Sequence, residues 1–242
     1  MDTITYLLIA LLLLLPWRAI YIAKTGLRKK MLKTSFMGGL AGFIAEYWYF
    51  KDYWQPPTIL GTSVISFEDF MFGFAITGIS VTIYETAFAA TFTRHRKNRK
   101  KLFSFMFLCG IAAMVIFNQL LGANSIVVSC TVFMLFTTFI ITLRPDLVRM
   151  AFFSGLLMIA VVLPVYTLLF DLLNTDYWDD YWLLAHTPLG ITVLGNIPVS
   201  ELCWYFSWGS FAGIAHHFAS GNVQLKHIRA IKESALIDQA ET

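Results

Sequence analysis

Seven long apolar stretches follow one another along this chain, near residues 4–17, 35–50, 66–92, 102–121, 125–143, 147–170 and 197–219, with short polar connections between them. Crossing the hydrocarbon core of a bilayer takes about 20 apolar residues per helix, and only helices or closed barrels satisfy every backbone N–H and C=O there. The 242 residues hold seven such spans and leave no room for a separate soluble domain. Only 14% of the residues are charged, too few to clothe a water-exposed globular surface. The sequence therefore predicts an all-α, polytopic integral membrane protein forming one membrane domain over residues 1–242. The first stretch has no basic n-region and no small-residue cleavage site, so it reads as a retained helix. Pro16 and Pro164 fall inside spans and are expected to bend their helices without ending them.

Lys and Arg at helix ends favour the cytoplasmic side. Arg18, Lys24, Arg28, Lys29, Lys30 and Lys33 lie between the first two spans, and Arg94, Arg96, Lys97, Arg99, Lys100 and Lys101 between the third and fourth. Arg144 and Arg149 bracket the fifth connection, and Lys226, Arg229 and Lys232 sit in the tail. Of 18 basic residues only Lys51 falls on the other face, which instead carries Glu46, Asp52, Asp171, Asp176, Asp179 and Asp180. This asymmetry predicts an N-out, C-in arrangement with seven transmembrane helices.

The same pattern explains the net charge of +3 as cytoplasmic anchoring near anionic lipid, so no nucleic-acid partner is expected. Cys109, Cys130 and Cys203 fall inside spans without CxxC or Cys/His spacing, and are expected to be packing residues rather than disulfides or metal ligands. Gly38 and Gly42 have the GxxxG spacing of a close helix contact. No GxGxxG follows a strand pattern, so no cofactor is evident.

Carboxylates stand at the starts of two apolar helices: Glu68 and Asp69 before span three, Glu201 before span seven. One such acid alone reads as a helix-dipole partner near the headgroups. The two regions, however, look like copies. Tyr53-Trp54, Pro57, Leu60-Gly61 and Ser66-Phe67-Glu68-Asp69 lead into one aromatic-rich helix; Tyr181-Trp182, Pro188, Leu194-Gly195 and Pro198-Val199-Ser200-Glu201 lead into another. Three spans, a linking fourth at about 102–121 and three more give two parallel three-helix repeats, approximately residues 1–95 and 123–225, with both acid-bearing starts on one side.

At these residues the chain resembles the membrane-embedded lycopene cyclases of the heterodimeric or fused type found in bacteria, archaea and fungi. That family carries two copies of a three-helix unit, each with a Pro-apolar-acid-acid motif before an aromatic-rich span. Residues 66–85, SFEDFMFGFAITGISVTIYE, follow its pattern to the terminal Tyr84-Glu85, and GNIPVSEL at 195–202 keeps the proline of the second copy. Ser66 stands where the first motif has proline, and Ser200 where the second has its first acid. The resemblance implies carotenoid cyclisation, with Glu68, Asp69 and Glu201 as the matching acids and a linear carotenoid or related isoprenoid as substrate.

Cyclising a linear polyene without redox change needs an acid that protonates a terminal alkene, a dry cavity and a base that removes a proton afterwards. Glu68 is the first choice for donor, then Glu201, with Asp69 as partner or orienter. Aromatic faces stabilise a passing cation. Phe72, Trp204, Tyr205 and Trp208 lie within two turns of the motif acids, with Phe72 four residues after Glu68 and Tyr205 four after Glu201. Tyr47, Trp48, Tyr49, Trp54, Trp178 and Trp182 read as an ordinary interfacial belt. Glu46 closes span two near the same layer, where joining the acids and lying at the interface are both open. Glu85 is expected to partner basic residues away from that site, His216 and His217 to be interfacial, and His186 to help orient an acid.

Other classes compete with a cyclase. A retinal photoreceptor needs a Schiff-base lysine in its last span, and residues 197–219 contain none. A transporter favours interrupted helices with acids deep in the bilayer, and a non-catalytic relative needs no acid cluster.

Overall fold

A computed structural model describes residues 1–61 and 64–225; Lys226, Arg229 and Lys232 of the tail lie outside the described residues. It is all-helical apart from two short strand pairs. The helices are α1 (Asp2–Ala23), α2 (Arg28–Asp52), α3 (Phe67–Ala87), α4 (Lys100–Ala113, continued as a π-helical segment to Leu120), α5 (Ser125–Leu143), α6 (Val148–Tyr166, continued as a π-helical segment to Leu173), a single turn and a half α7 (Tyr177–Tyr181), and α8 (Val199–Ser220). Five of the long helices, α1, α3, α4, α5 and α6 with their extensions, are long and apolar enough to cross a membrane. The other two are more polar. Arg28, Lys29, Lys30, Lys33 and Glu46 dilute α2; four serines and two histidines together with Glu201 dilute α8.

Helix ends differ from the apolar runs in two places. The first helix extends well past the 4–17 stretch, because Trp17 and Tyr21 stack on one face (5.1 Å between centroids) and carry it on to Ala23. The third ends at Ala87 rather than 92: Ala89 adopts a left-handed φ of 46°, and the chain turns into strand β1 (Phe92–Arg94). A second pair, β2 (Thr192–Val193) with β3 (Ile197–Pro198), precedes α8, and β4 (Asn222–Gln224) pairs antiparallel with β1. Both Pro16 and Pro164 sit inside helices that continue through them.

The helices group as two trios, α1–α2–α3 and α5–α6–α8, with α4 on the periphery. Each trio turns in the same way. Lys24 leads a 3₁₀ turn at Thr25–Leu27 into α2, and Arg144 leads one at Pro145–Leu147 into α6, 120 positions later. The seams correspond as well. A Cβ on Gly42 would meet the Asp69 carbonyl oxygen at 2.5 Å, and one on Gly73 the Gly38 carbonyl at 2.5 Å, so the GxxxG pair brings the α2 and α3 backbones into contact. In the other trio Gly155 of α6 faces Ser210 of α8, where the first has Ser35 facing Gly78: one glycine–serine contact with the partners exchanged.

Corresponding residues of the two trios also meet each other. Trp54 and Trp182 form an antiparallel bridge, with Gln55 N–H donating to Tyr181 O and Leu183 N–H to Tyr53 O, both at 2.9 Å. Phe72 lies beside Trp204 (6.3 Å), and Glu85 bonds His217 (2.6 Å). Glu68, Asp69 and Glu201 lie at the end of the bundle capped by the 53–61 and 174–198 segments; the basic turns lie at the opposite end.

At that basic end several expectations are corrected. Arg144 is buried rather than anchored at a headgroup layer, because it is forked onto Asp146 (2.8 and 2.6 Å) and donates to Asn222 O. His217 is not interfacial: it is buried against Glu85, which also pairs with Lys30. Glu85 thus has the basic partners expected of it. Cys109 and Cys203 face outward from their helices rather than packing inside, and all three cysteines are free.

Candidate functional site

Two short sequences set the geometry of the site. Ser66 is the N-cap of α3, and Asp69, at the third helical position, closes a capping box with it. The Ser66 N–H and hydroxyl donate to Asp69 Oδ2 (2.7 and 2.8 Å), and Tyr6 of α1 donates to Oδ1 (2.6 Å). Asp69 is therefore buried with acceptor bonds on both oxygens. Pro198, the N-cap of α8, offers neither N–H nor hydroxyl, and Glu201 at the third helical position makes no capping box. Its carboxyl turns into the bundle instead. Tyr53 donates to Oε1 (2.6 Å) and Tyr166 to Oε2 (2.7 Å), while Tyr166 and Tyr205 hydroxyls meet at 2.8 Å and Ser200 touches the Tyr53 hydroxyl at 3.1 Å.

Glu68 is buried and accepts from the Ile59 N–H (2.8 Å), which ties the 53–61 segment to the start of α3. Glu46, near the end of α2, is also buried. It lies within electrostatic reach of both Asp69 and Glu201, with the Trp54 side chain beside it. Its Oε1 has no hydrogen-bond partner among the described residues.

The aromatic residues next to these acids form a wall and a lid. Phe72 contacts Tyr6 (6.3 Å), Trp204 (6.3 Å) and Tyr205 (6.4 Å). Trp204 donates to the Tyr49 hydroxyl (2.8 Å) and stacks on Trp208 (6.0 Å, 14° between planes), which leads away from the acids toward the basic end. Above the acids, Trp54, Trp178, Trp182, Tyr53 and Tyr177 pack on one another and are buried. Burial, reinforced by Tyr181, Asp2, Glu46 and Glu68 nearby, pushes the Tyr177 phenol up, so it stays neutral. Its hydroxyl also lacks a partner among the described residues.

These positions revise the reading of the aromatics. Trp48, Trp54, Trp178 and Trp182 are buried rather than an interfacial belt facing lipid: the two bridged Tyr-Trp segments fold Trp54 and Trp182 inward, Trp178 packs on both, and of the six only Tyr47 is largely exposed, at 57%. His186 is exposed and orients no acid through any described contact. Tyr6, Tyr53 and Tyr166 hold the motif acids; sequence reasoning passes over Tyr6 and Tyr166 and takes Tyr53 only as an element of the repeat. For Tyr166 a signal existed: counted from the matching turns at Lys24 and Arg144, it occupies the position of Glu46.

On the flank of α8 next to Glu201, a groove of about 620 Å³ opens between α5, α6 and α8, lined by Cys130, Met134, Ile159, Leu202, Cys203 and Phe206 among others. It is predominantly apolar. No group of three or more His, Cys, Asp or Glu side chains among the described residues is placed to hold a metal ion.

Buried carboxyls held by phenols under an aromatic lid, in a bundle of apolar helices, define a multi-pass membrane protein with an acid–aromatic site. Its sequence matches the lycopene cyclase family model over residues 2–87 and 124–219, which correspond to the two trios, and the chain belongs to that family. No curated protein and no solved structure matches it significantly.

Proposed function

We propose that the protein carries out redox-neutral, acid-initiated cyclisation of a linear carotenoid or related isoprenoid within the bilayer. Family membership supports a cyclase-like function in general. The observation that carries the specific reading is Glu201, a buried carboxyl clamped by two phenols beside the Phe72–Trp204–Tyr205 aromatic wall. Such a group, shielded from water, is suited to face a carbocation or to receive its proton.

In this reading a terminal double bond is protonated, the cation closes a six-membered ring onto a neighbouring double bond, and loss of a proton restores an alkene. Phe72, Tyr205, Trp204 and, farther off, Trp208 offer π faces to the cation. Asp69 orients Tyr6 and the start of α3, Glu68 fixes the lid segment, and Glu201 serves the cation or its proton. The apolar groove beside Leu202 and Cys203 is the approach for a lipophilic chain from the membrane. No cofactor enters the scheme.

The same reading takes the seven long helices as seven spans with the N-terminus outside and the C-terminus in the cytoplasm, and the trios as two parallel repeats, residues 1–95 and 123–225, joined by the linking helix at about 102–121. The corresponding turns at Lys24 and Arg144 and the Trp54–Trp182 bridge support the repeat. A transporter would need a polar path between the two ends. The acids here lie under a packed aromatic lid and the Lys30–Glu85–His217 cluster occupies the opposite end, which favours an enzyme.

Expression in cells that accumulate lycopene, followed by pigment chromatography, tests the proposal. Monocyclic or bicyclic products are expected. Their absence with verified membrane insertion would overturn it for that substrate.

A further inference from the structure

We propose that Glu46, on α2 and outside both motifs, is the acid that carries the proton into this site and delivers it to the substrate alkene. The inference rests on the cyclisation reading for its substrate, and on geometry for its assignment.

The motif acids are poor donors by their bonding. Asp69 accepts three hydrogen bonds, two from Ser66 and one from Tyr6. Glu201 meets a phenol on each oxygen. Both acids are thus engaged on each oxygen, which leaves neither with a free carboxyl oxygen to present to a substrate. Glu68 is engaged by the Ile59 backbone N–H.

Glu46 differs. It is 5% exposed, its Oε1 has no hydrogen-bond partner among the described residues, and it lies within reach of both Asp69 and Glu201. Buried carboxyls that feel one another disfavour full ionisation, so the cluster favours keeping a proton on one of its members. Among the described residues, Glu46 is the carboxyl with a buried oxygen that no donor engages. A buried polar atom left without a partner is costly, and such atoms call for an explanation beyond packing.

The correspondence between the trios sharpens the assignment. Counted from Leu27 and Leu147, the residues preceding α2 and α6, Glu46 and Tyr166 occupy the same position. Tyr166 donates a hydrogen bond to the motif acid of its own trio, Glu201. A protonated Glu46 is the carboxylic-acid counterpart of that phenol, with a far more acidic proton.

The step balances without an oxidant or reductant. The Glu46 O–H bond breaks and a C–H bond forms at the terminal alkene; the resulting tertiary cation is attacked by a neighbouring C=C, forming the ring bond. A C–H bond adjacent to the cation then breaks, its electrons forming the new C=C and its proton passing to Glu201. Return of that proton to Glu46 resets the site, and substrate and product are isomers.

The test uses the full chain in membranes, with two readouts. Infrared spectroscopy should show the C=O band of a protonated buried carboxyl in the wild type, lost in Glu46→Gln, shifted in Glu46→Asp and kept in Glu201→Gln. A band that survives Glu46→Gln, or that Glu46→Asp leaves in place, overturns the assignment. In turnover on lycopene, Glu46→Gln should lose about 100-fold or more and Glu46→Asp recover part of it; near-normal turnover in inserted Glu46→Gln overturns it too. If the wild type cyclises nothing, the substrate reading fails, while the infrared band still decides where the proton resides.

Discussion

The starts of α3 and α8 are built on one plan and use it differently. Each has an acid at the third helical position, Asp69 and Glu201. At α3 the N-cap is serine, whose N–H and hydroxyl capture Asp69 in a capping box. At α8 the N-cap is proline, which has no N–H to give, and Glu201 is released to the phenols of Tyr53 and Tyr166. One residue at the cap thus decides whether the acid stabilises its own helix or serves the interior. On the cyclisation reading proposed above, the two copies divide the work: one acid holds the frame, the other faces the chemistry.

Replacing the two acids should break this symmetry most visibly. Glu201→Gln keeps the shape but removes the carboxylate, and turnover is expected to fall about 100-fold or more, within the range of a lost acid–base group. Asp69→Asn should cost about 10-fold or less in turnover, since asparagine still accepts from Ser66, with about 1 kcal/mol lost in stability. The check is product formed per unit of inserted protein alongside thermal unfolding in detergent. Equal losses of turnover would mean that both acids take part in the reaction.

The clamp around Glu201 gives a smaller effect. Tyr166→Phe removes the donor to Oε2 and the contact with the Tyr205 hydroxyl while leaving the ring in place. A hydrogen bond to a charged group contributes about 1.5–3 kcal/mol, and the loss in turnover should be about 10-fold. Tyr53→Phe should cost a similar amount, and the double variant less than the product of the two if Ser200 or Tyr205 takes over an oxygen. Steady-state rates of the four proteins decide this; an unchanged rate in Tyr166→Phe would make the clamp dispensable.

Much of this arrangement is legible in the chain itself. Apolar runs give the long helices, and the paired Pro- or Ser-led motifs give the acids, because both signals are local. The Tyr-Trp segments are not: Trp54 and Trp182 have the composition of a lipid-facing belt, and only their pairing across 128 positions turns them over the carboxyls. Tyr6, Tyr53 and Tyr166 are hidden for the same reason, since each reaches an acid at least 35 residues away in sequence. Glu46 stays open in the sequence between the acid cluster and the interface, because the burial that decides between them comes from the packing of other helices. The dense basic run at the other end invites one reading as headgroup anchors, yet Arg144 and Lys30 are consumed by Asp146 and Glu85.

The cap of α3 supplies the smallest expected change in turnover and the most direct test of the comparison. Ser66→Ala removes the hydroxyl bonds to Asp69 while keeping the backbone N–H, and should cost about 1 kcal/mol in stability with turnover within a few-fold of the wild type. Ser66→Pro restores the residue that α8 carries at its own cap, but Ser66 sits at φ −132°, far from the value of about −65° that the proline ring imposes. It also loses the N–H that donates to Asp69 at 2.7 Å. The proline variant should therefore be less stable than the alanine variant, by about another 1 kcal/mol, because the surrounding segment has settled around a serine cap. Thermal unfolding of the two variants in the same detergent measures the difference. If Ser66→Pro proves as stable as the wild type, the capping box contributes nothing, and the division of labour between Asp69 and Glu201 must arise from the phenols alone.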